Sequence, residues 1–239
     1  LINALLGDNI LPTAVVPLTA IPTLIRWGRG IEINVIYQNG AIVREDFTEK
    51  PQAAPSFLHR LVTEEGNPLN QLGIASVEIC YHAPLLTKGV VIIDTPGIGS
   101  TYRHNTEATL GFLPQCDAAI FVLSADPPIT ENEIAFLKEI NNHVGYVIYV
   151  LNKVDYLTEA ERAQSIEFLR STLKNSLGLS DRDEAKIYWL SARKGLEAKQ
   201  KQDGSLLADS GLAQLEQELI GFLVEKKAAV LQQTLKSKG

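Results

Sequence analysis

The sequence has 239 residues and a mass of 26.2 kDa, which suits one large α/β domain or two small ones. Its formal net charge of −6 gives no general basis for binding nucleic acid, so we expect no nucleic-acid partner. Apolar runs stay well short of the ~18 residues that a membrane-spanning helix needs, and no signal peptide is visible. The two cysteines lack metal-ligand spacing and are expected to be reduced thiols in a cytoplasmic protein.

The chain opens with LINALL, which has helical spacing but no preceding Ser, Thr, Asp or Asn to cap a helix. It also contains no methionine, so we expect a fragment whose beginning is missing. Three prolines in residues 10–23 then predict an extended loop.

The next segments predict strands and one helix. The strands are expected at residues 24–28, 31–37 and 76–82, the helix at 55–66, and a tight hairpin turn at Asn39-Gly40.

From residue 90 onward, strands that are apolar throughout alternate with amphipathic helices. The pattern predicts strands at 90–94, 117–125, 146–152 and 186–191, helices at 105–113, 131–141 and 159–177, a loop-like insertion at 196–211, and a last helix from about 210 to the end. Such alternation indicates a three-layer α/β fold: a mostly parallel sheet with helices on both faces, extended by the antiparallel hairpin. Residues 90–94 are expected to be the central strand, and ligands bind at the carboxyl ends of such strands.

Three predicted strands end in polar residues, and the first ends in VVIID-TPG. A carboxylate at Asp94 could hold Mg²⁺ through a water molecule, because Mg²⁺ keeps much of its hydration shell. Gly97 would let the backbone approach a terminal phosphate and donate its N–H to it. A capped turn after a core strand is the structural alternative.

The second polar end is YVLNKVDYL. The Asp155 carboxylate only accepts hydrogen bonds, so it could take two from the ring N–H and exocyclic amine of guanine, whereas adenine offers an acceptor there. The Lys153 stem could lie over the base, and Asn152 could tie neighbouring loops together. A polar strand-to-helix turn is the alternative.

The third polar end is Ser191-Ala192 in IYWLSARKG, where the Ala192 N–H could donate to the guanine carbonyl oxygen. One complete α/β unit separates each of these three strand ends from the next. Their order at successive strand ends predicts a single guanine-nucleotide site.

The D-T-P-G, N-K-V-D and S-A set resembles the GTPases of the P-loop class. LINALLGDNILPTAVVPLTAIPT looks like the stretch of dynamin-family GTPases that directly follows the phosphate-binding loop, and DTPGIGSTYRHNTE is similar to the bacterial, mitofusin-like branch. The resemblance covers about residues 1–225, the expected GTPase domain. Residues 226–239 would continue the last helix, either as a solvated end or towards a helical bundle.

The resemblance implies hydrolysis of GTP to GDP and phosphate with Mg²⁺ and a monovalent cation. It makes Thr19 the first-switch threonine, with its hydroxyl on Mg²⁺ and its carbonyl positioning the attacking water; Thr13 and Thr23 are neighbouring candidates. Thr19 and Gly97 are thus the expected catalytic residues. The nucleotide-binding residues implied are Asp94, Thr95, Pro96, Gly97, Asn152, Lys153, Asp155, Ser191, Ala192 and Arg193.

The resemblance also implies a nucleotide-dependent homodimer or oligomer, and membrane lipid as a partner through regions outside this sequence, peripherally at the inner face of the membrane. D-T-P-G and N-K-V-D depart from the forms usual in eukaryotic dynamins, which speaks against endocytic dynamin. The G-x-x-x-x-G-K-[ST] loop that should precede Leu1 is not in the sequence; we expect it in the natural protein. Two rivals stay open: a GTPase switch acting on RNA or ribosome assembly, and a non-catalytic interaction module.

Overall fold

The computed structural model describes residues 1–13, 21–96, 109–124, 129–178 and 186–236, with side chains described up to residue 225. Within these ranges the α-helices include α1 (Ile2–Leu6), α2 (Ala54–Val62), α3 (Glu131–His143), α4 (Glu159–Leu177), α5 (Ala192–Lys201), α6 (Gly204–Asp209) and α7 (Leu212–Lys236). Residues 109–112 are also helical. The strands are β1 (Thr23–Trp27), β2 (Glu32–Tyr37), β3 (Ile42–Asp46), β4 (Ile74–Tyr81), β5 (Ile92–Asp94), β6 (Ala119–Ser124), β7 (Val147–Asn152) and β8 (Ile187–Trp189).

The strands form two sheets across the described ranges. The three-stranded sheet has the order β6-β7-β8 and is parallel throughout, as the alternation of strands and helices predicted. The five-stranded sheet has the order β3-β2-β4-β1-β5, and its only parallel pair is β1 with β4. The prediction of one mostly parallel sheet is therefore only partly right.

The five-stranded sheet also corrects the prediction that residues 90–94 form the central strand. Only Ile92–Asp94 pair as a strand, and this strand, β5, lies at one end of its sheet, antiparallel to β1. An apolar run indicates burial but not the direction or position of a strand, which depend on pairing with distant segments.

The hairpin prediction at Asn39-Gly40 is confirmed. Gly40 has a φ of 84°, which a residue with a Cβ adopts only at a cost, and the Tyr37 N–H donates to the Ala41 carbonyl at 2.9 Å across the turn. β2 and β3 consequently pair antiparallel.

Helices cover both faces of the three-stranded sheet, as predicted. Alternate residues of its strands point to opposite faces, so two separate apolar clusters form. One cluster packs β6 and β7 against α3 and α4 and includes Phe121, Leu123, Leu137, Tyr149 and Leu173. The other packs the same sheet against α1 and α7 and includes Ala4, Leu5, Ile148, Val150, Leu190 and Leu215.

The predicted loop at 196–211 is wrong, because this segment contains the end of α5 and all of α6. Asp203 begins α6 by accepting a hydrogen bond from the Leu206 N–H at 3.0 Å. In α5, Lys199 donates to the Leu5 carbonyl of α1 at 2.8 Å and to Glu216 of α7 at 2.5 Å. These long-range contacts hold the segment in place together with the packing of Leu196 and Leu207 against the apolar cluster between the sheet, α1 and α7.

A carboxylate fixes α7 to the three-stranded sheet at the amino ends of β7 and β8. Glu218 accepts hydrogen bonds from the Tyr146 and Tyr188 hydroxyls, and Tyr146 stacks on Phe222 with ring centroids 4.5 Å apart. The hydrogen bonds from Tyr146 and Tyr188 lower the pKa of Glu218, although burial opposes this shift. Burial and the Glu218 contact raise the pKa of Tyr146 to about 12.

We expect Glu218→Gln to lower the free energy of unfolding by about 1–2 kcal/mol at pH 7, because hydrogen bonds to a charged acceptor are stronger than those to a neutral one. The folded-state pKa is lowered, so this stabilisation is present above the ordinary glutamate pKa and is lost as the pH falls through the folded-state value. The difference from wild type in urea unfolding should therefore shrink between pH 7 and pH 3.

Glu225→Gln is the matched control for this prediction, because Glu225 lies exposed on the same helix. It should change the free energy of unfolding by less than about 0.5 kcal/mol. A Glu218→Gln deficit of equal size at both pH values would contradict the assignment to an ionised carboxylate.

Candidate functional site

The loop after β7 turns sharply at its first residue, Lys153. β7 ends at Asn152, and Lys153 adopts a φ of 64°, a left-handed conformation that is uncommon for residues other than glycine. A short 3₁₀ turn, Val154–Tyr156, follows and carries Asp155. The Lys153 side chain is exposed to solvent.

Asn152 joins this loop to the start of α5, 40 residues further along the chain. Its Oδ1 accepts a hydrogen bond from the Ala192 N–H at 3.0 Å. The side chain thus makes the kind of link between loops that the sequence predicted for it. The same bond directs the Ala192 N–H at Asn152, so the structure does not place this donor as a separate group for a base carbonyl.

Ser191 stands between β8 and α5 and is 1% exposed. Its Oγ accepts from the Lys194 N–H at 3.2 Å, which caps the first turn of α5. The Ser191 hydroxyl also hydrogen-bonds to the Asp155 carboxylate. The second and third polar strand ends of the sequence therefore lie side by side.

Asp155 receives a second partner from α5. The Arg193 Nη2 lies 2.8 Å from Oδ2 of Asp155, whose side chain is only 3% exposed, while the Arg193 side chain is 68% exposed. Burial would raise the pKa of Asp155, but the hydrogen bonds from Ser191 and Arg193 outweigh it and lower this pKa. Asp155 is therefore an ionised, almost fully covered carboxylate.

Asp94 ends β5 and is half-buried, opposite Thr23 of β1 in the antiparallel register. Leu1, which precedes α1, lies near the Asp94 carboxylate. Thr95 is half-buried, and the buried Pro96 accepts a hydrogen bond at its carbonyl from the Thr109 hydroxyl at 3.2 Å.

One apolar cluster connects the two regions. It contains Leu1 of the amino end, Ile92 of β5, Val150 of β7 and Leu190 after β8. Asp94, Asn152 and Ser191 follow Ile92, Val150 and Leu190 by two, two and one residues along the chain.

Two predicted catalytic residues, Thr19 and Gly97, lie outside the described residues. Of the alternatives to Thr19, Thr23 is fully buried in β1 and donates its hydroxyl to the Ile21 carbonyl at 3.3 Å. The sequence reading missed the role of Lys199 because it placed this residue in a loop. The run of good helix formers around it, ARKGLEAKQK, was the available signal.

The described residues contain no group of three or more His, Cys, Asp or Glu side chains arranged to hold a metal ion. None of the helices within the described ranges combines the length and apolar character needed to cross a membrane.

Comparison with known proteins identifies relatives over most of the chain. An uncharacterized protein in the xynA 3′ region of Caldicellulosiruptor sp. (strain Rt8B.4) is 38% identical over 230 residues, which cover 96% of this chain and 54% of that protein. The bacterial dynamin-like protein of Nostoc punctiforme is 28% identical over 247 residues, covering 95% and 35% respectively. The chain therefore spans about half, or less, of the length of these relatives.

A solved structure shares the fold. One chain from an oligomerised bacterial dynamin pair superposes with a TM-score of 0.70 at 19% identity, covering 99% of this chain and 44% of that one. This likeness shows that the chain shares the α/β fold of the matching part of that dynamin. The sequence model of the dynamin family matches residues 1–154, which is more than half of the sequence. The chain belongs to the dynamin family.

Proposed function

We propose that the chain is the GTP-binding and GTP-hydrolysing domain of a bacterial dynamin-like protein. The observation that carries the proposal is the meeting of Asn152 and Asp155 with Ser191 and Ala192 at the carboxyl ends of β7 and β8. Membership of the dynamin family supports it independently.

Asp155 would select guanine. An ionised carboxylate can accept from both the ring N–H and the exocyclic amine of guanine, and it would face a lone pair on adenine. Ser191 holds the Asp155 carboxylate in position, and Asn152 fixes the adjoining loop to α5. The Lys153 stem would lie over the base plane, since its side chain already extends from the turn into solvent.

Asp94 would hold Mg²⁺ through a water molecule, together with the Thr19 hydroxyl. A half-buried carboxylate oxygen at the end of β5 suits a hard, well-hydrated cation. When bound, Mg²⁺ neutralises charge on the phosphate oxygens. A monovalent cation would be placed by the expected phosphate-binding loop.

The chain's own residues would act by positioning. The Thr19 carbonyl would orient the attacking water, the Gly97 N–H would contact the terminal phosphate, and Thr95 and Pro96 would hold that loop beside Asp94. Loss of the phosphate would relax the loop that carries Thr19 and the loop that carries Gly97. This change would couple hydrolysis to conformation.

The longer protein would self-associate in a nucleotide-dependent way and act peripherally at a membrane. The Nostoc punctiforme relative is named a bacterial dynamin-like protein, and the superposed structure is described as a dynamin pair that senses and tethers membranes. α7 runs to Lys236, so residues 226–239 would lead towards a helical bundle, with residues 1–225 as the GTPase domain.

The experiment uses the full-length protein. We expect calorimetry to detect GTP binding with little or no ATP binding, phosphate release from GTP, and GTP-dependent sedimentation with vesicles of phosphatidylethanolamine and phosphatidylglycerol. Asp94→Asn should reduce phosphate release more than nucleotide binding. Preference for ATP would overturn the proposal, and GTP hydrolysis without self-association or vesicle binding would overturn its membrane part.

A further inference from the structure

Asp155 is closed to a ligand as the structure stands. Its side chain is 3% exposed, although the proposed contact with a base requires two accessible lone pairs. Some group that covers the carboxylate must therefore move before a base can bind.

Arg193 is that group. Its guanidinium bonds to Oδ2 of Asp155 at 2.8 Å and is 68% exposed, so it lies on the solvent side of the carboxylate. Ser191, by contrast, is 1% exposed and contacts Asp155 from within the protein. A movement of Arg193 towards solvent would uncover the carboxylate and leave Ser191 in place.

The location of Arg193 favours such movement. It is the second residue of α5, where the positive end of the helix dipole disfavours a cation. The Arg193 end of the pair is 68% exposed, so water competes for its guanidinium and the long side chain regains freedom when the pair opens. The pair therefore opens from the Arg193 side.

We propose that Arg193 is a gate on the base-recognition carboxylate: it occupies Asp155 in the empty protein and must leave before guanine binds. This inference rests on the proposed function. The gate lowers the affinity for guanine nucleotides by the cost of opening the pair. Adenine nucleotides gain nothing from Asp155, so the gate leaves their affinity unchanged.

The test measures binding of fluorescent GDP and fluorescent ADP to full-length protein by stopped flow and equilibrium titration. Arg193→Ala should raise the association rate and the affinity for GDP roughly twofold to fivefold, as expected for loss of a competing ion pair. The affinity for ADP should not rise. Because both nucleotides carry the same phosphates, their ratio removes any general effect of the lost charge.

Lys201→Ala is the matched control. Lys201 lies on the same helix, pairs with Glu197 at 2.6 Å, and is 65% exposed, so its loss removes the same charge from a similar ion pair away from Asp155. It should leave the ratio of GDP to ADP affinity unchanged.

The outcomes separate the two proposals. Wild-type protein that binds neither nucleotide, or prefers ADP, contradicts the proposed function itself. Wild-type protein that prefers GDP, with an Arg193→Ala variant whose GDP affinity is unchanged or lower, overturns the gate alone. A lower GDP affinity would indicate instead that Arg193 contacts the bound nucleotide.

Discussion

Asp155→Asn should weaken GTP binding by roughly 10⁴-fold and make the full-length protein prefer XTP. The amide places an N–H donor opposite the exocyclic amine of guanine, and a site built on hydrogen bonds rejects a mismatched partner by about this factor. Xanthine carries a carbonyl at that position, which the amide can contact. Competition of GTP and XTP against a fluorescent nucleotide measures the change.

The substitution should leave the fold intact. It removes the ion pair with Arg193, which is 68% exposed, so the guanidinium is rehydrated at little cost. Circular dichroism and the melting temperature are the controls. A variant that folds normally and keeps the wild-type preference for GTP would refute the role of Asp155 in recognising the base.

Gly211→Ala should lower the free energy of unfolding by about 3 kcal/mol or more. Gly211 has a φ of 75°, and an added Cβ would lie 2.2 Å from the Trp189 carbonyl oxygen. The neighbouring backbone must shift to accept it, and the Ser191 N–H bonds to the Ser210 carbonyl at 2.8 Å in the same place. Urea unfolding at pH 7 measures the loss.

Gly204→Ala is the control for Gly211→Ala, at a position where an added methyl group has space. Gly204 is the first residue of α6, and an added Cβ would meet no atom within 4 Å. Alanine there should be neutral or stabilise by up to about 1 kcal/mol. Equal effects of the two substitutions would show that chain entropy, and not the close approach to Trp189, determines the result.

The sequence predicted elements best where a local rule determined them. Thr130 and Thr158 each form a reciprocal capping box with a glutamate three residues later, and the predicted starts of α3 and α4 at residues 131 and 159 agree with the structure. β6 and β7, which are mostly apolar runs, lie within one or two residues of their predicted bounds.

Features that depend on distant partners were not predictable from the sequence. The position of β5 depends on pairing with β1, and the placement of α5 beside α1 and α7 depends on contacts such as those of Lys199. At the candidate site, the residue types and their order predicted that Asn152, Asp155 and Ser191 would meet. Local spacing gave no sign that Arg193 would cover Asp155, because the partners lie 38 residues apart.

The shortness of α1 has a mechanical consequence. The five residues of α1 span about 7–8 Å. The amino end of the helix lies near Asp94, and the Leu5 carbonyl at its other end accepts a hydrogen bond from Lys199. Lys199 also donates a hydrogen bond to Glu216 of α7. A displacement of α1 along its axis must therefore either break these bonds or move the amino-terminal part of α7, a helix of 25 residues.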